Sequence, residues 1–111
     1  MSEDGLFEET GSKLKEELEI DIEHLDSITE DQLLDAITDR VLDMLERNPE
    51  LLFSYLYRLD VLEHKIQFAL NQQTEVAPHR ALAKLILDRQ KLRISTKKKY
   101  KQEPLEGWGF D

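Results

Sequence analysis

The chain reads as all-α: a small bundle of three to five short helices over residues 28–96, with polar, partly disordered tails. Three observations predict this. Residues 49–59, P-E-L-L-F-S-Y-L-Y-R-L, spread apolar side chains over about two-thirds of a helical wheel, leaving Glu50, Ser54 and Arg58 as a polar strip. Residues 28–33, I-T-E-D-Q-L, read as a capping box with a hydrophobic staple. Leu82, Leu85, Ile86 and Leu92 return at helical spacing near the other end.

Taken in order, residues 1–27 form an acidic segment, disordered or one amphipathic helix. Two glycines and a run of acids predict disorder over residues 1–11. From Ser12 two patterns compete. Leu14, Leu18, Ile22 and Leu25 keep helical spacing, whereas Leu18, Ile20 and Ile22 alternate with acids as a strand would. No second strand is available for pairing, which favours the helix. A linear segment that orders on a partner is the alternative.

The first core helix follows Thr29, whose hydroxyl can accept from the Gln32 N–H. Leu33, Leu34, Ile37, Val41, Leu42 and Leu45 hold the period as far as Arg47. Pro49 disfavours helical geometry at Asn48, so Asn48 caps the next helix with Pro49 at its first position. That apolar helix, 49–59, is expected at the centre of the domain, with Leu52, Leu56 and Leu59 buried. Asp60 and Glu63 repeat a D-x-x-E box and start or re-register a third helix, although one bent helix over 49–70 fits as well. The last helix opens near Pro78, covers residues 78–94 and extends as a basic stretch towards Tyr100. Residues 97–111 form a tail, basic and then aromatic, whose end contains Pro104, Gly107 and Gly109.

Length and composition bound the function. A chain of 111 residues is one domain, and 35% charged residues leave a modest core. The absence of cysteine excludes disulfide scaffolds and thiolate zinc sites and fits a reducing compartment. The acidic N-terminal stretch lacks the basic and apolar regions of a secretory signal. No apolar run approaches the roughly 20 residues of a spanning helix. A cytoplasmic protein without membrane contact is expected.

No catalytic, cofactor or metal motif stands out. His24, His64 and His79 are isolated, whereas a metal site needs convergent ligands. Phosphate-cradling glycine motifs are missing, and no nucleophile signature surrounds Ser54. The reading is a non-enzymatic protein without cofactor.

Charge supplies the candidates. The formal net charge is −9, yet residues 1–31 hold 12 acids against 2 bases and residues 89–101 hold 7 bases and no acid. Asp31, Asp35, Asp39 and Asp43 form an acidic face at i,i+4 spacing, suited to a basic partner or merely solvated. Lys97, Lys98, Lys99, Tyr100 and Lys101 suit carboxylates of a protein, or phosphates with Tyr100 stacked on a base. Trp108 and Phe110 form an aromatic hook of the kind that anchors in a groove. On the last helix Val76, Ala83, Leu87 and Ile94 fall on a second apolar face, which assigns Leu87 and Ile94 to a partner or homodimer contact. The expected function is therefore a protein–protein interaction module: an adaptor, regulatory subunit or small assembly component. An accessory nucleic-acid-binding or ribosome-associated protein, engaged through residues 89–101, is the alternative.

Overall fold

The computed structural model describes residues 3–71 and 76–102, with side chains over 6–71 and 76–97. These residues are helical and contain no strand. The order is α1 (Glu3–Leu18), a 3-10 turn (Leu25–Ser27), α2 (Glu30–Arg47), α3 (Pro49–Arg58), α4 (Glu63–Leu70) and α5 (Pro78–Gln102).

The local signals at α2 and α3 act as the sequence predicts. The Gln32 N–H donates to Thr29 Oγ1 at 3.1 Å, and the Thr29 N–H donates back to Gln32 Oε1 at 3.0 Å. Asn48 Oδ1 accepts from the Leu51 N–H at 3.3 Å, with Pro49 at the first helical position. Leu52, Leu56 and Leu59 are buried.

Residues 49–70 form two helices, and the break differs from the expected box. Asp60 caps nothing at the start of α4, whose N-cap is Leu62 without a side-chain bond. Asp60 instead sits in the left-handed region at φ 65° and ends α3. The Val61 N–H donates to the Leu56 carbonyl at 3.1 Å and the Asp60 N–H to the Tyr57 carbonyl at 3.0 Å. That pair of bonds, with Val61 and Leu56 both buried, is a Schellman close.

At the N-terminal end, where disorder and an amphipathic helix are both expected from sequence, residues 3–18 are helical. Helix α1 begins at Glu3. Tertiary packing holds it: Thr10, Gly11, Leu14 and Leu18 are buried. Gly11 costs helix propensity but allows close approach, since a Cβ there would stand 2.7 Å from Leu25 Cδ2. After α1, Glu19 turns the chain at φ 61°. The strand-like alternation is then realised without a sheet: Leu18, Ile20 and Ile22 point into the core and Glu19, Asp21 and Glu23 to solvent. Residues 10–22 thus share the core of 28–96.

The hub of the bundle is α5 and not α3. Helix α5 packs against α1, α2 and α4, whereas α3 lies mainly on α2. Leu51 and Tyr57 of α3 stay exposed. Leu82, Ala83, Ile86 and Leu87 on α5 are all fully buried. A helix with neighbours on several sides covers both of its apolar faces. At 25 residues α5 also exceeds the short helices expected.

Candidate interaction surfaces

Helix α5 has a held part, followed by exposed side chains from Ser95 to Lys97. Along the held part, cations meet acids from other elements. Arg80 Nη1 lies 2.9 Å from Asp35 Oδ1, and Lys91 Nζ 2.8 Å from Glu30 Oε2, with Lys84 Nζ at 3.8 Å from the same oxygen. The hydrogen bond from Lys91 lowers the Glu30 pKa below its ordinary 4.5, against a smaller opposing effect of burial. Arg89 Nε donates to the Leu59 carbonyl at 2.7 Å, while its Nη2 faces Asp60 at 3.8 Å. Among the described side chains of α5 the last buried one is Gln90; Arg93, Ser95, Thr96 and Lys97 are exposed, and the helix runs on to Gln102.

Arg89 has a twin. Arg40 Nε donates to the Leu18 carbonyl at 2.7 Å and its Nη2 faces Glu19 at 3.8 Å. Each arginine thus closes a helix at a terminal carbonyl and faces the left-handed acid that follows. These bonds satisfy carbonyls that the helices leave without partners.

Inside the bundle α1, α3 and α5 share one polar knot. Gln90, 1% exposed, donates through Nε2 to the Tyr55 hydroxyl at 2.8 Å and to Glu17 Oε1 at 2.8 Å. The Tyr55 hydroxyl donates to Glu17 Oε1 at 2.9 Å. Burial raises the Tyr55 pKa well above its ordinary 10.0; the Gln90 bond opposes this and the Glu17 carboxylate adds to it. The hydroxyl therefore stays protonated at neutral pH and serves as a donor. Arg58 stands 5.9 Å over the Tyr55 ring. Glu17, Tyr55, Arg58, Leu59 and Arg93 surround an open pocket of about 300 Å³.

A larger groove, about 410 Å³, lies between the start of α4 and α5. Val61, Leu62, Leu85 and Leu92 supply its apolar lining, Lys65 and Arg89 its cations and Asp60 and Asp88 its acids. Leu62 is 55% and Leu92 54% exposed.

The sequence-assigned residues separate on this frame. Leu87, assigned to a partner face, is fully buried by the chain itself, and Ile94 is half-buried. The exposed leucine is Leu92, which the sequence groups with the core. Lys97 is exposed; Lys98, Lys99, Tyr100 and Lys101 continue the helix, their side chains outside the described set. Trp108 and Phe110 lie outside the described residues. The acidic face is not uniform: Asp35 meets Arg80, Asp43 lies 2.7 Å from Arg40 and 2.9 Å from Arg47, and Asp31 and Asp39 are exposed. Among the described residues no three acids or histidines converge as a metal site, and no helix is long and apolar enough to cross a membrane.

Sequence reasoning missed the Glu17–Tyr55–Gln90 knot. A glutamine within a basic run carries no signal of burial. Gln90 does fall four residues after Ile86 and three after Leu87, on the inward side, and that register is the one available clue. Comparison with protein families, with curated proteins and with solved structures finds no match.

Proposed function

We propose that the protein is a non-enzymatic interaction module that presents the basic end of α5 to an acidic protein partner. The observation that carries this reading is the division of α5. Its inner cations are matched by Glu30, Asp35 and Asp60, and the helix then continues past its last buried residue with Arg93 and Lys97 exposed. The eight residues from 95 to 102 add about 12 Å of helix beyond Ile94, the last partly buried residue among the described side chains. A projecting helix with cations on it is a preformed recognition element, since its ordering cost is already met. The polar groups in the interior serve structure: Tyr55 is held protonated, and its partners are a carboxylate and an amide.

The supporting test is a comparison of the full chain with a variant carrying Lys97→Glu, Lys99→Glu and Lys101→Glu, each used to capture partners from native lysate with and without nuclease. A protein retained by the parent after nuclease, and lost by the variant, supports the reading. Capture that disappears with nuclease overturns it in favour of nucleic acid. Phosphate binding would then show a log–log salt slope near −0.7 per neutralised charge on single strands.

A further inference from the structure

We propose that the groove between α4 and α5 is the docking site of the chain's own aromatic segment, residues 105–110, L-E-G-W-G-F, folded back along α5 in the same molecule. The groove exposes Leu62 and Leu92 beside Leu85 and the buried Val61, so its floor is apolar and open. Exposed leucines elsewhere, Leu42 on α2 and Leu51 on α3, lie outside this lining. Two adjacent leucines, each more than half exposed, offer an apolar bed that scattered ones do not.

Reach allows the occupant. From Leu92 to the end of α5 at Gln102 the helix advances about 15 Å. The six residues from Gln102 to Trp108 extend to about 20 Å, enough to return to the level of Leu92 after a turn. Pro104 stands where the direction must reverse, because it cannot continue a regular helix interior.

Charge favours the same path. Glu103, Glu106 and Asp111 are the charged residues of 103–111, all acidic. The helix they would follow carries Arg93, Lys97, Lys98, Lys99 and Lys101. At the groove itself the charges balance: Asp60 is shared with Arg89, Asp88 lies 3.1 Å from Lys84, and Lys65 has no acid within ion-pair distance among the described residues, so the attraction for the acidic segment comes from the basic stretch of α5 and from Lys65. The tether keeps this segment at high effective concentration, which favours it over a diffusing competitor of equal chemistry. Tryptophan and phenylalanine each bring about 150–250 Å² of burial, matched to a leucine-lined bed.

Trp108 is the chain's one tryptophan, so it reports directly on its own docking. In the full chain its emission should be blue-shifted from that of the urea-unfolded protein, and independent of protein concentration. Leu62→Asp with Leu92→Asp should shift the emission to the red and raise acrylamide quenching several-fold, with far-UV circular dichroism unchanged. Leu42→Asp, outside the groove, should do neither. If the double variant unfolds, Trp108→Ala replaces it as the test. The methyl resonances of Leu62 and Leu92 should then move while those of Leu42 stay. Native emission already at the unfolded position overturns the proposal, as do methyl resonances unmoved by Trp108→Ala. A blue shift that grows with concentration overturns docking within one molecule.

Discussion

Gln90 on α5 and Glu17 on α1 are joined at 2.8 Å across 73 positions of sequence, and the Tyr55 hydroxyl completes the contact from α3. A buried amide with two acceptors in place ties three helices at one point. The arrangement helps fix the register of α1 on α5, because the buried Gln90 amide, if displaced, loses both its acceptors.

Tyr55→Phe should destabilise the fold by about 0.5–1.5 kcal/mol, the usual net value of one hydrogen bond. Gln90→Leu, similar in volume, removes both donors to the knot, so its effect is coupled to that of Tyr55. A double-mutant cycle by urea unfolding should give a coupling energy of about 0.5–3 kcal/mol. Strict additivity would show that the three groups act independently. Base titration supplies a further check on the same hydroxyl. Its pKa is raised in the folded state, so its contribution is complete below the unfolded value of 10.0 and is lost as pH climbs above it. Tyr55→Phe should flatten that part of the alkaline limb.

The paired arginine closures predict a common cost. Arg40→Met and Arg89→Met keep most of the aliphatic stem but leave the Leu18 and Leu59 carbonyls without their 2.7 Å donors. Each should lower stability by about 1–3 kcal/mol, the range for a buried group left unsatisfied. Amide exchange should accelerate first around residues 18–22 in one variant and 59–62 in the other. Uniform acceleration across the chain would contradict local closure.

Glu19→Gly should raise stability. Glutamate at φ 61° carries the cost of the left-handed region, which glycine does not. The ion pair lost is wide, at 3.8 Å, and its carboxylate is 81% exposed, so little is forfeited. Glycine's greater freedom in the unfolded chain offsets part of the gain. The expected net is a stabilisation of about 0.5 kcal/mol, read as a higher urea midpoint. A lower midpoint would mean that the Arg40–Glu19 contact outweighs backbone strain.

Acid should act through Glu30. Its pKa is lowered in the folded state, so its contribution is present above the unfolded value of 4.5 and disappears as pH falls through the lower folded value. Glu30→Gln should therefore be less stable than the parent at neutral pH and converge with it as the pH falls below 4.5 and through the lower folded value. A constant gap across that window would assign the effect to shape and not to charge.

Much of the fold was legible because its signals are local. Thr29 with Gln32 starts α2, Asn48 with Pro49 starts α3, and both depend on residues within three positions of each other. Leu52, Leu56 and Leu59 also follow from periodicity alone. The residues that misled are those whose environment is set far away. Acids and glycine early in the chain leave disorder and a helix both open, and what α1 packs on is visible only once Leu25 and Leu33 are brought against Gly11. The D-x-x-E at Asp60 is a box by spacing, but Val61 and Leu56 pack together and make it a helix close. Leu87 is buried and Leu92 exposed, the reverse of the expected exposure, because a wheel gives the angle between two faces and not which of them meets a neighbour. The knot lay beyond reach for the same reason: Glu17, Tyr55 and Gln90 belong to three elements, and nothing in their own neighbourhoods announces the others.

The bond between α1 and α5 also sets an order of events during synthesis. A ribosome releases Leu14, Leu18, Ile20 and Ile22 long before residues 82–90, their eventual cover, exist. Until α5 emerges, α1 has only α2 and the turn after it to shelter these side chains, and Glu17 has no amide to meet. The nascent chain must therefore carry an unfinished apolar surface until α5 has been made. That delay, more than the stability of the finished bundle, is where a holdase or an early-binding partner would find its opportunity.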